Sequence, residues 1–444
     1  MYICGVMTID EINTASTKEI RGFLRGIGKV DHNENLDAIE CLVTHDDATI
    51  RVLAIKTLGK TCSMRYVPIY YYTYKNDSST SVRRECASAI GRLRSEHYIE
   101  ILSEILNDSD PKVVCQAIRG LLVFKGRSDV DETLKGLLSN KNETVQSIIQ
   151  KEYFSNKDKN EKKVSQVDSP SFIHNVIVNS DTIEAMKLLD DESIHLTFTS
   201  PPYYNARDYS IYQSYEEYLD FLDNVFKEVM RITKEGRFLI VNTSPIIVPR
   251  ISRAHSSKRY PIPFDLHSRL VSQGWEFIDD IIWKKPEYSV KNRVGGFSQH
   301  RKPLGYKPNS VTEYLMVYRK PTDRLLDWNM RQYPYEVIED SKVGDGFETT
   351  NVWEICPKSD KVHSAVFPEE LCKRVIEYYS YKGDLVFDPF GGSGTFGRVA
   401  HKMGRYFFMT ELDEGYFEYM KSFFDKETKF LSFEELENIK NASF

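Results

Sequence analysis

The first third of the chain repeats one amphipathic pattern. Ile50, Val82, Val113 and Val145 each open a stripe of mostly apolar positions at i, i+4 and i+8, and they are spaced by 32, 31 and 32 residues. A polar turn precedes the first three stripes. This period predicts a helix with one buried face, which a single helix pair cannot bury alone. We therefore predict a stack of helix pairs over residues 1–155.

A different pattern begins after residue 171, where short apolar runs alternate with amphipathic helical stretches. Such alternation predicts a mostly parallel sheet with crossover helices. Residues 234–236 (Lys-Glu-Gly) are predicted to form a turn before a strand. The predicted strands are 175–178, 194–198, 237–242, 385–387 and 405–410, and the predicted helices are 182–189, 215–232 and 396–403.

Residues 156–171, between the two patterns, are polar and charged. They hold too few apolar residues to offset the entropy of ordering, so we predict a charged linker. The predicted domains are thus a helical repeat domain at 1–155, the linker at 156–171 and an α/β domain at 172–444.

Composition narrows the class of protein. The chain has 444 residues, 41% hydrophobic and 28% charged, and no run approaches the roughly 18 apolar residues of a membrane span. Met1 to Asp10 show no secretion signal, and the seven cysteines lack metal-ligand spacing. We expect a cytoplasmic protein with reduced thiols, no membrane contact and no metal site. The net charge of −6 means that any nucleic-acid surface must be local.

The run Thr199-Ser200-Pro201-Pro202-Tyr203 directly follows a predicted buried strand. The two prolines cannot donate to a strand ladder, so they end the strand and stiffen the turn. Ligands of open α/β sheets bind at the carboxyl ends of strands. The turn therefore presents the Ser200 hydroxyl, backbone carbonyls and the Tyr203 ring to a planar, hydrogen-bonding ligand.

A glycine-rich run, Asp388-Pro389-Phe390-Gly391-Gly392-Ser393-Gly394-Thr395, follows another predicted strand and opens a helix. Glycines let the backbone approach a ligand closely, and the start of a helix offers free N–H groups. The next predicted strand leads to Glu411. An acidic residue at that place binds ribose hydroxyls in nucleoside-binding folds.

Together these motifs resemble the DNA amino-methyltransferases, which methylate an exocyclic amine of cytosine or adenine with S-adenosyl-L-methionine. The catalytic motif precedes the glycine loop, which resembles the permuted beta subgroup, and the helical repeats resemble HEAT repeats. The resemblance implies a Rossmann-like, permuted α/β methyltransferase domain preceded by an α-helical HEAT-like repeat domain. It covers about residues 173–420, with further matches at 281–286, 313–314, 351–355, 363 and 367–371.

The resemblance also implies roles for single residues. The catalytic turn comprises Ser200, Pro201, Pro202 and Tyr203: Ser200 and the Pro201 carbonyl would accept hydrogen bonds from the target amine, and Tyr203 would stack on a flipped base. Ser180 replaces the glycine usual before Asp181, and a helix cap is the alternative role of Asp181. The implied cofactor-binding residues are Asp181, Phe367, Pro368, Asp388, Phe390, Gly391, Gly392, Gly394 and Glu411.

Residues 284–331 hold eleven Lys or Arg against four Asp or Glu. The subgroup carries its target-recognition segment here, about 284–360, although a solvated basic loop would show the same composition. Tyr204, Asn205, Arg207 and Tyr209 are candidates for closing over a base. The predicted DNA-binding residues are Lys284, Arg293, Arg301, Lys302 and Lys307.

The substrate and the partners stay open at this point. Serine before Pro-Pro-Tyr is similar to the cytosine-N4 group, whereas aspartate or asparagine is usual for adenine N6. RNA is a further candidate substrate, and a non-catalytic DNA-binding scaffold would have the same fold. The family suggests double-stranded DNA as partner, a restriction-modification or defence setting and a cognate restriction endonuclease, although the chain has no nuclease motif. The partner of the repeats is unknown: Arg83, Arg84, Arg92 and Arg94 either contact phosphate or form a solvated face.

Overall fold

A computed structural model of the protein describes residues 8–27, 36–154, 165–204, 212–248, 254, 257–358 and 366–442. The chain forms two compact units, Met1–Lys159 and Asn160–Phe444. Much of the predicted linker, through residue 164, lies outside the described residues. No helix in the described ranges is both long enough and apolar enough to cross a membrane, and the six cysteines described there are free.

The first unit is helical, as its repeat pattern predicts. Helices that pack side by side share one continuous core, which includes Ile50, Val82, Val113 and Val145. The helices are α1 (Ile9–Thr14), α2 (Thr17–Gly26), α3 (Asp37–Cys41), α4 (Ala48–Lys60), α5 (Val67–Asn76), α6 (Thr80–Arg92), α7 (Ile99–Ile105), α8 (Pro111–Leu121), α9 (Ser128–Gly136) and α10 (Glu143–Ile149).

Ion pairs with the period of the repeat join successive helices of this unit. Arg51 contacts both carboxylate oxygens of Asp77, at 2.6 and 2.9 Å. One repeat later, Arg83 does the same with Asp108, at 2.9 and 3.1 Å. Both pairs are mostly buried. Arg83 is therefore a structural residue, which corrects its interpretation as a candidate phosphate contact.

The second unit is built on a nine-stranded, mostly parallel sheet, as predicted. The strands of the unit are β1 (Val176–Asn179), β2 (Ile194–Thr199), β3 (Thr233–Thr243), β4 (Ile246–Val248), β5 (Lys258–Tyr260), β6 (Glu276–Lys284), β7 (Thr312–Arg319), β8 (Val352–Glu354), β9 (Leu385–Asp388), β10 (Tyr406–Glu411) and β11 (Lys429–Ser432). The order in the large sheet is β11-β1-β10-β9-β2-β3-β7-β6-β8, and β7 alone runs against its neighbours within this sheet.

Helices connect and cover this sheet, so that buried residues form a core on each of its faces. The strands β4 and β5 form a separate two-stranded sheet. The helices are α11 (Thr182–Lys187), α12 (Tyr215–Ile232), α13 (Ile262–Gln273), α14 (Gly295–His300), α15 (Leu326–Met330), α16 (Tyr335–Asp340), α17 (Glu369–Tyr379), α18 (Thr395–Lys402), α19 (Glu414–Lys421) and α20 (Phe433–Ala442).

One local prediction is wrong. Residues 234–236 are not a turn but part of β3, which begins at Thr233 and pairs with Ile194 of β2. The register shifts between Ile194 and Leu196, and Gly236 has a φ of 73°. Glycine tolerates the irregular backbone of a bulged strand, so its presence did not mark the end of a helix.

The residues after 164 pack into the second unit. The Gln166 carbonyl accepts hydrogen bonds from His195 Nε2 at 3.1 Å and from the Tyr333 hydroxyl at 3.3 Å. Gln166 itself is buried. This contact fixes the start of the second unit against the buried start of β2.

Candidate active site

The two predicted motifs meet at the centre of the sheet. Strand β2 ends at Thr199, directly before the catalytic turn, and β9 ends at Asp388, directly before the glycine loop. These strands are parallel neighbours, although about 190 residues separate them in the chain. The chain after β9 proceeds to β10 on one side, and the chain after β2 proceeds to β3 on the other. Their carboxyl ends therefore form a topological switch point, where α/β folds bind ligands.

A side-chain contact joins the motifs at this point. The buried Thr199 hydroxyl donates to Asp388 Oδ1 at 2.6 Å, and the Phe390 N–H donates to the same oxygen at 3.0 Å. Asp388 is thus fixed between the catalytic strand and the glycine loop.

The Ser200 hydroxyl lies at one end of a polar chain that crosses three strands. Asn242 Nδ2, on β3, lies 3.5 Å from Ser200 Oγ and donates to Glu313 Oε2, on β7, at 2.7 Å. Lys285, just after β6, forms an ion pair with the other Glu313 oxygen. Asn242 Oδ1 is buried and has no hydrogen-bond partner among the described residues. Because buried amide oxygens are normally paired, Asn242 Oδ1 is a candidate ligand contact beside Ser200.

Tyr203 belongs to the same polar chain. The Ser244 hydroxyl lies 3.4 Å from the Tyr203 hydroxyl. Burial and the nearby Glu313 charge raise the pKa of Tyr203 well above its usual range. The ring therefore stays neutral, and its partly buried position beside the core restricts its orientation.

Two carboxylates flank the glycine loop and have no basic partner within the described residues. Glu411, at the end of β10, accepts from the Gly392 N–H at 2.7 Å and from the Asp413 N–H at 2.9 Å. Burial raises the pKa of Asp388 to about 7, and the Glu411 charge adds to the rise. Burial also raises the pKa of Glu411 above its usual range. These two carboxylates, which accept hydrogen bonds, therefore fit a ligand that carries positive charge and hydroxyl groups.

The glycines of the loop serve the packing as well as the backbone shape. Gly392 and Gly394 have φ of 54° and 71°. A Cβ on Gly394 would lie 2.7 Å from the Phe424 ring, and one on Gly391 would lie 3.2 Å from the Thr410 carbonyl oxygen. Close contacts with the protein alone thus explain Gly391 and Gly394, so their presence does not require a ligand.

The remaining predicted cofactor residues surround this region in different ways. Asp181 caps α11 by accepting from the Ile183 N–H at 2.9 Å, as expected of a helix cap. Phe367 stacks on Phe198 of β2 with ring centroids 4.5 Å apart. Pro368 is buried directly before α17.

The predicted DNA-binding residues fall into two groups. Lys284 forms an ion pair with Glu354 at 2.9 Å, and Arg293 donates to Ser310 Oγ at 3.2 Å. The other three lie on the exposed connection between β6 and β7, and none forms an ion pair with a described residue. They are Arg301, Lys302 and Lys307.

That basic connection begins next to the catalytic turn. Strand β6 has the same direction as β3, so its carboxyl end lies at the same edge of the sheet as the end of β3. Lys285 and Glu313, at the two ends of the connection, belong to the polar chain that reaches Ser200. The base of the basic connection is thus physically linked to the catalytic turn.

Sequence reasoning missed part of this site and assigned one residue to the wrong place. It did not identify Asn242 or Ser244, whose only signal was their location at or just after the end of a predicted strand, and it included Lys285 in the match at 281–286 without giving it a role. Tyr204 does not close over the site: it is buried, with its ring 5.0 Å from that of Tyr260. Other candidates lie outside the described residues, namely Asn205, Arg207, Tyr209 and His363.

The fold and site define a class of α/β proteins in which a glycine loop of the kind that binds nucleosides lies beside a Ser-Pro-Pro-Tyr turn. More specifically, the chain belongs to the DNA methylase family, whose model matches residues 194–422, more than half of the chain. A model for HEAT repeats matches residues 72–151.

Individual relatives match between half and two thirds of the chain. The chain is 27% identical over 253 residues to the Type II beta methyltransferase M.BslI of Bacillus sp. (strain NEB-606), a match that covers 54% of this chain and 26% of the relative. It is 27% identical over 278 residues to the Type II methyltransferase M.MwoI of Methanothermobacter wolfeii, covering 60% of this chain and 36% of the relative. The chain therefore spans only part of the length of these relatives.

One solved structure is also similar to part of the chain. It is a putative DNA modification methylase of Thermus thermophilus complexed with S-adenosyl-L-methionine, 26% identical, with a TM-score of 0.48. The match covers 59% of this chain and 98% of that one.

Proposed function

We propose that this protein transfers a methyl group from S-adenosyl-L-methionine to the exocyclic N4 amine of a cytosine flipped out of duplex DNA. The observation that carries this proposal is the hydrogen bond between Thr199 and Asp388. It holds the Ser-Pro-Pro-Tyr turn and the glycine loop side by side at one switch point, which supports their proposed roles in binding the target amine and the cofactor. Family membership supports the same reaction class.

The cofactor fits the chemistry of the glycine loop. Asp388 and Glu411 are carboxylates with raised pKa values and no ion pair within the described residues. A sulfonium and an ammonium group would offset the cost of burying their charge, and Glu411 would accept from the ribose hydroxyls. When bound, S-adenosyl-L-methionine supplies an electrophilic methyl group. Asp181, Phe367, Pro368, Phe390 and the loop glycines complete the proposed pocket.

The catalytic turn would orient the amine. The lone pair of an exocyclic amine is delocalised into its ring, which makes the nitrogen a poor nucleophile. Hydrogen bonds from its N–H groups to Ser200 Oγ and the Pro201 carbonyl would favour a more pyramidal nitrogen. Pro202 stiffens the turn, and the neutral Tyr203 ring would stack on the base.

The polar chain would hold this turn in place. Asn242 and Glu313 fix Ser200 and Tyr203 from the neighbouring strands. Asn242 Oδ1, unpaired among the described residues, offers a further acceptor for an N–H of the target base. Catalysis of this kind depends on placement, which supplies up to roughly 7–11 kcal/mol in well-oriented systems.

The segment 284–360 is the proposed target-recognition element, with Lys284, Arg293, Arg301, Lys302 and Lys307 as DNA contacts. The exposure of Arg301, Lys302 and Lys307 supports phosphate binding. The names of two relatives contain "Type II", which supports a restriction-modification setting with a cognate endonuclease. A cytoplasmic location stays a prediction.

Adenine N6 is the second candidate target, because the family model covers DNA methylases without separating the two amines. The choice of cytosine rests on Ser200 in place of aspartate or asparagine.

Transfer of labelled methyl groups to unmethylated duplex DNA tests the proposal. We expect incorporation by the wild type and a loss of at least about 100-fold with Ser200→Ala or Tyr203→Ala. Ser272→Ala, at an exposed position of α13, is a control outside the catalytic turn, the glycine loop and the basic connection. Cofactor binding without transfer to any DNA would favour a non-catalytic scaffold, and transfer to RNA alone would change the substrate class.

A further inference from the structure

Three neighbouring helices of the first unit expose charge of one sign. On α4, α6 and α8, all of whose residues are described, the exposed side chains are Thr49, Ser81 and six basic residues. Glu85 is the only acidic residue of these helices, and it is buried and accepts from Arg92 at 2.7 Å. We call the six residues the basic face: Lys56, Lys60, Arg84, Arg92, Lys112 and Arg119.

Two other helices of the repeats do not share this bias. Helix α7 exposes Glu100, and α9 exposes Asp129 and Glu132 beside Lys135. On α5 the one exposed basic residue, Lys75, forms an ion pair with Glu104 of α7. The unpaired positive charge is therefore concentrated on α4, α6 and α8 relative to these three helices.

The basic face is also distinct from the arginines that hold the repeats together. Arg51 forms an ion pair with Asp77, and Arg83 forms one with Asp108. By contrast, four members of the basic face form no ion pair with a described residue, so no structural role explains their alignment. These four are Lys56, Arg84, Lys112 and Arg119.

The dimensions of the basic face suit a duplex. The helices approach closely, since a Cβ on Gly91 of α6 would lie 3.1 Å from the Cα of Gly120 on α8. Packed helices lie about 8–10 Å apart, so three of them span roughly 16–20 Å between the outer axes. B-DNA carries one negative charge per about 1.7 Å of its axis. A duplex of that length carries roughly ten phosphates on its two strands, so even the half on the side of the protein gives most of the six cations a partner.

From this alignment of cations we propose that the basic face binds the phosphate backbone of duplex DNA, at a surface outside the methyltransferase unit. The choice of DNA over other polyanions rests on the proposed function. The contact is independent of base sequence and adds affinity without selecting the target site.

The test is the salt dependence of DNA binding by the full-length protein. Fluorescence anisotropy with a labelled duplex is measured between about 0.05 and 0.3 M salt for the wild type and for Arg84→Gln/Arg119→Gln. Each phosphate contact contributes about 0.9 to the slope of log K against log salt, so we expect the slope to fall by about 2. The charge-matched control Lys135→Gln/Lys141→Gln changes exposed lysines off the basic face and should leave the slope unchanged.

Three results would overturn the proposal: an unchanged slope in the Arg84/Arg119 variant, an equal fall in the control, or weaker binding to duplex RNA with DNA binding intact. Thermal unfolding of each variant verifies that the first unit still folds. Methyl transfer at low salt and saturating DNA should persist in the Arg84/Arg119 variant. Failure of the proposed function would instead abolish transfer in the wild type and leave the difference in slope measurable.

Discussion

The raised pKa of Asp388 predicts that cofactor affinity depends on pH near neutrality. The usual pKa of the carboxyl is 3.8, and burial raises it to about 7 in the protein without ligand. A cationic ligand binds the ionised form. The apparent affinity should therefore increase as the pH rises through about 7, with loss of one proton on binding.

The size of this effect follows from one titrating group. With a pKa of about 7 and binding only to the ionised form, the dissociation constant at pH 6 should be about tenfold higher than at pH 8. In the protein without ligand, the contribution of Asp388 to the free energy of unfolding should depend on pH in the opposite sense. Because the folded pKa lies above the unfolded one, the contribution of Asp388 is fully present below about pH 3.8 and is lost as the pH rises through about 7.

Isothermal titration calorimetry of S-adenosyl-L-methionine binding, in two buffers of different ionisation enthalpy, measures both affinity and proton release. Asp388→Asn should remove the pH dependence. Thr199→Val deletes a hydrogen bond that lowers the pKa of Asp388, so it should move the midpoint to higher pH. A dissociation constant that is constant within about twofold from pH 6 to 8, or an unchanged pH dependence in Asp388→Asn, would refute the reasoning.

Three further predictions test the packing and the polar chain. Arg83→Leu leaves the mostly buried Asp108 carboxylate without its partner, so the free energy of unfolding of the first unit, measured in urea, should fall by about 2–4 kcal/mol. The adjacent control Arg84→Leu should change this free energy by less than about 0.5 kcal/mol. Equal losses in the two variants would contradict the structural role of the ion pair between Arg83 and Asp108. Gly394→Ala places a Cβ on a residue with left-handed backbone and against the Phe424 ring, so the free energy of unfolding of the second unit, measured by thermal unfolding, should fall by about 2–4 kcal/mol. The control Gly404→Ala has a similar φ, but its nearest contact is at 3.8 Å, so it should cost about 1 kcal/mol in the same assay. Equal costs in the two variants would contradict the close packing at Gly394. Glu313→Gln should lower kcat on the order of 10-fold to 100-fold without changing the cofactor dissociation constant. Steady-state kinetics with an unaltered kcat would show that Glu313 does not position the catalytic turn.

The sequence predicted the architecture because its signals were local. The period of 32 residues identified the stacked helices, and the alternation of apolar runs identified the mostly parallel sheet. Motif order was enough to place 388–395 and 199–203 in one site, since parallel strands present their carboxyl ends at the same edge. The error at 234–236 arose because a glycine in a bulged strand resembles the glycine that ends a helix.

The polar chain could not be predicted in the same way. Asn242 is on β3, Glu313 is on β7 and Lys285 directly follows β6, so their contacts depend on β7 lying antiparallel between β3 and β6. No local pattern encodes that pairing. Arg83 and Arg84 show the same limit at a smaller scale: they are adjacent and chemically identical, yet one joins two repeats and the other is exposed, because they face different sides of α6.

The identity of the methylated base tests the central claim most directly. The purified protein is incubated with duplex DNA and labelled S-adenosyl-L-methionine, the DNA is digested to nucleosides, and mass spectrometry identifies the labelled base. We predict N4-methylcytosine, absent with Ser200→Ala. N6-methyladenine would retain the enzyme class but contradict the assignment drawn from Ser200, and unlabelled DNA despite bound cofactor would contradict the proposed reaction.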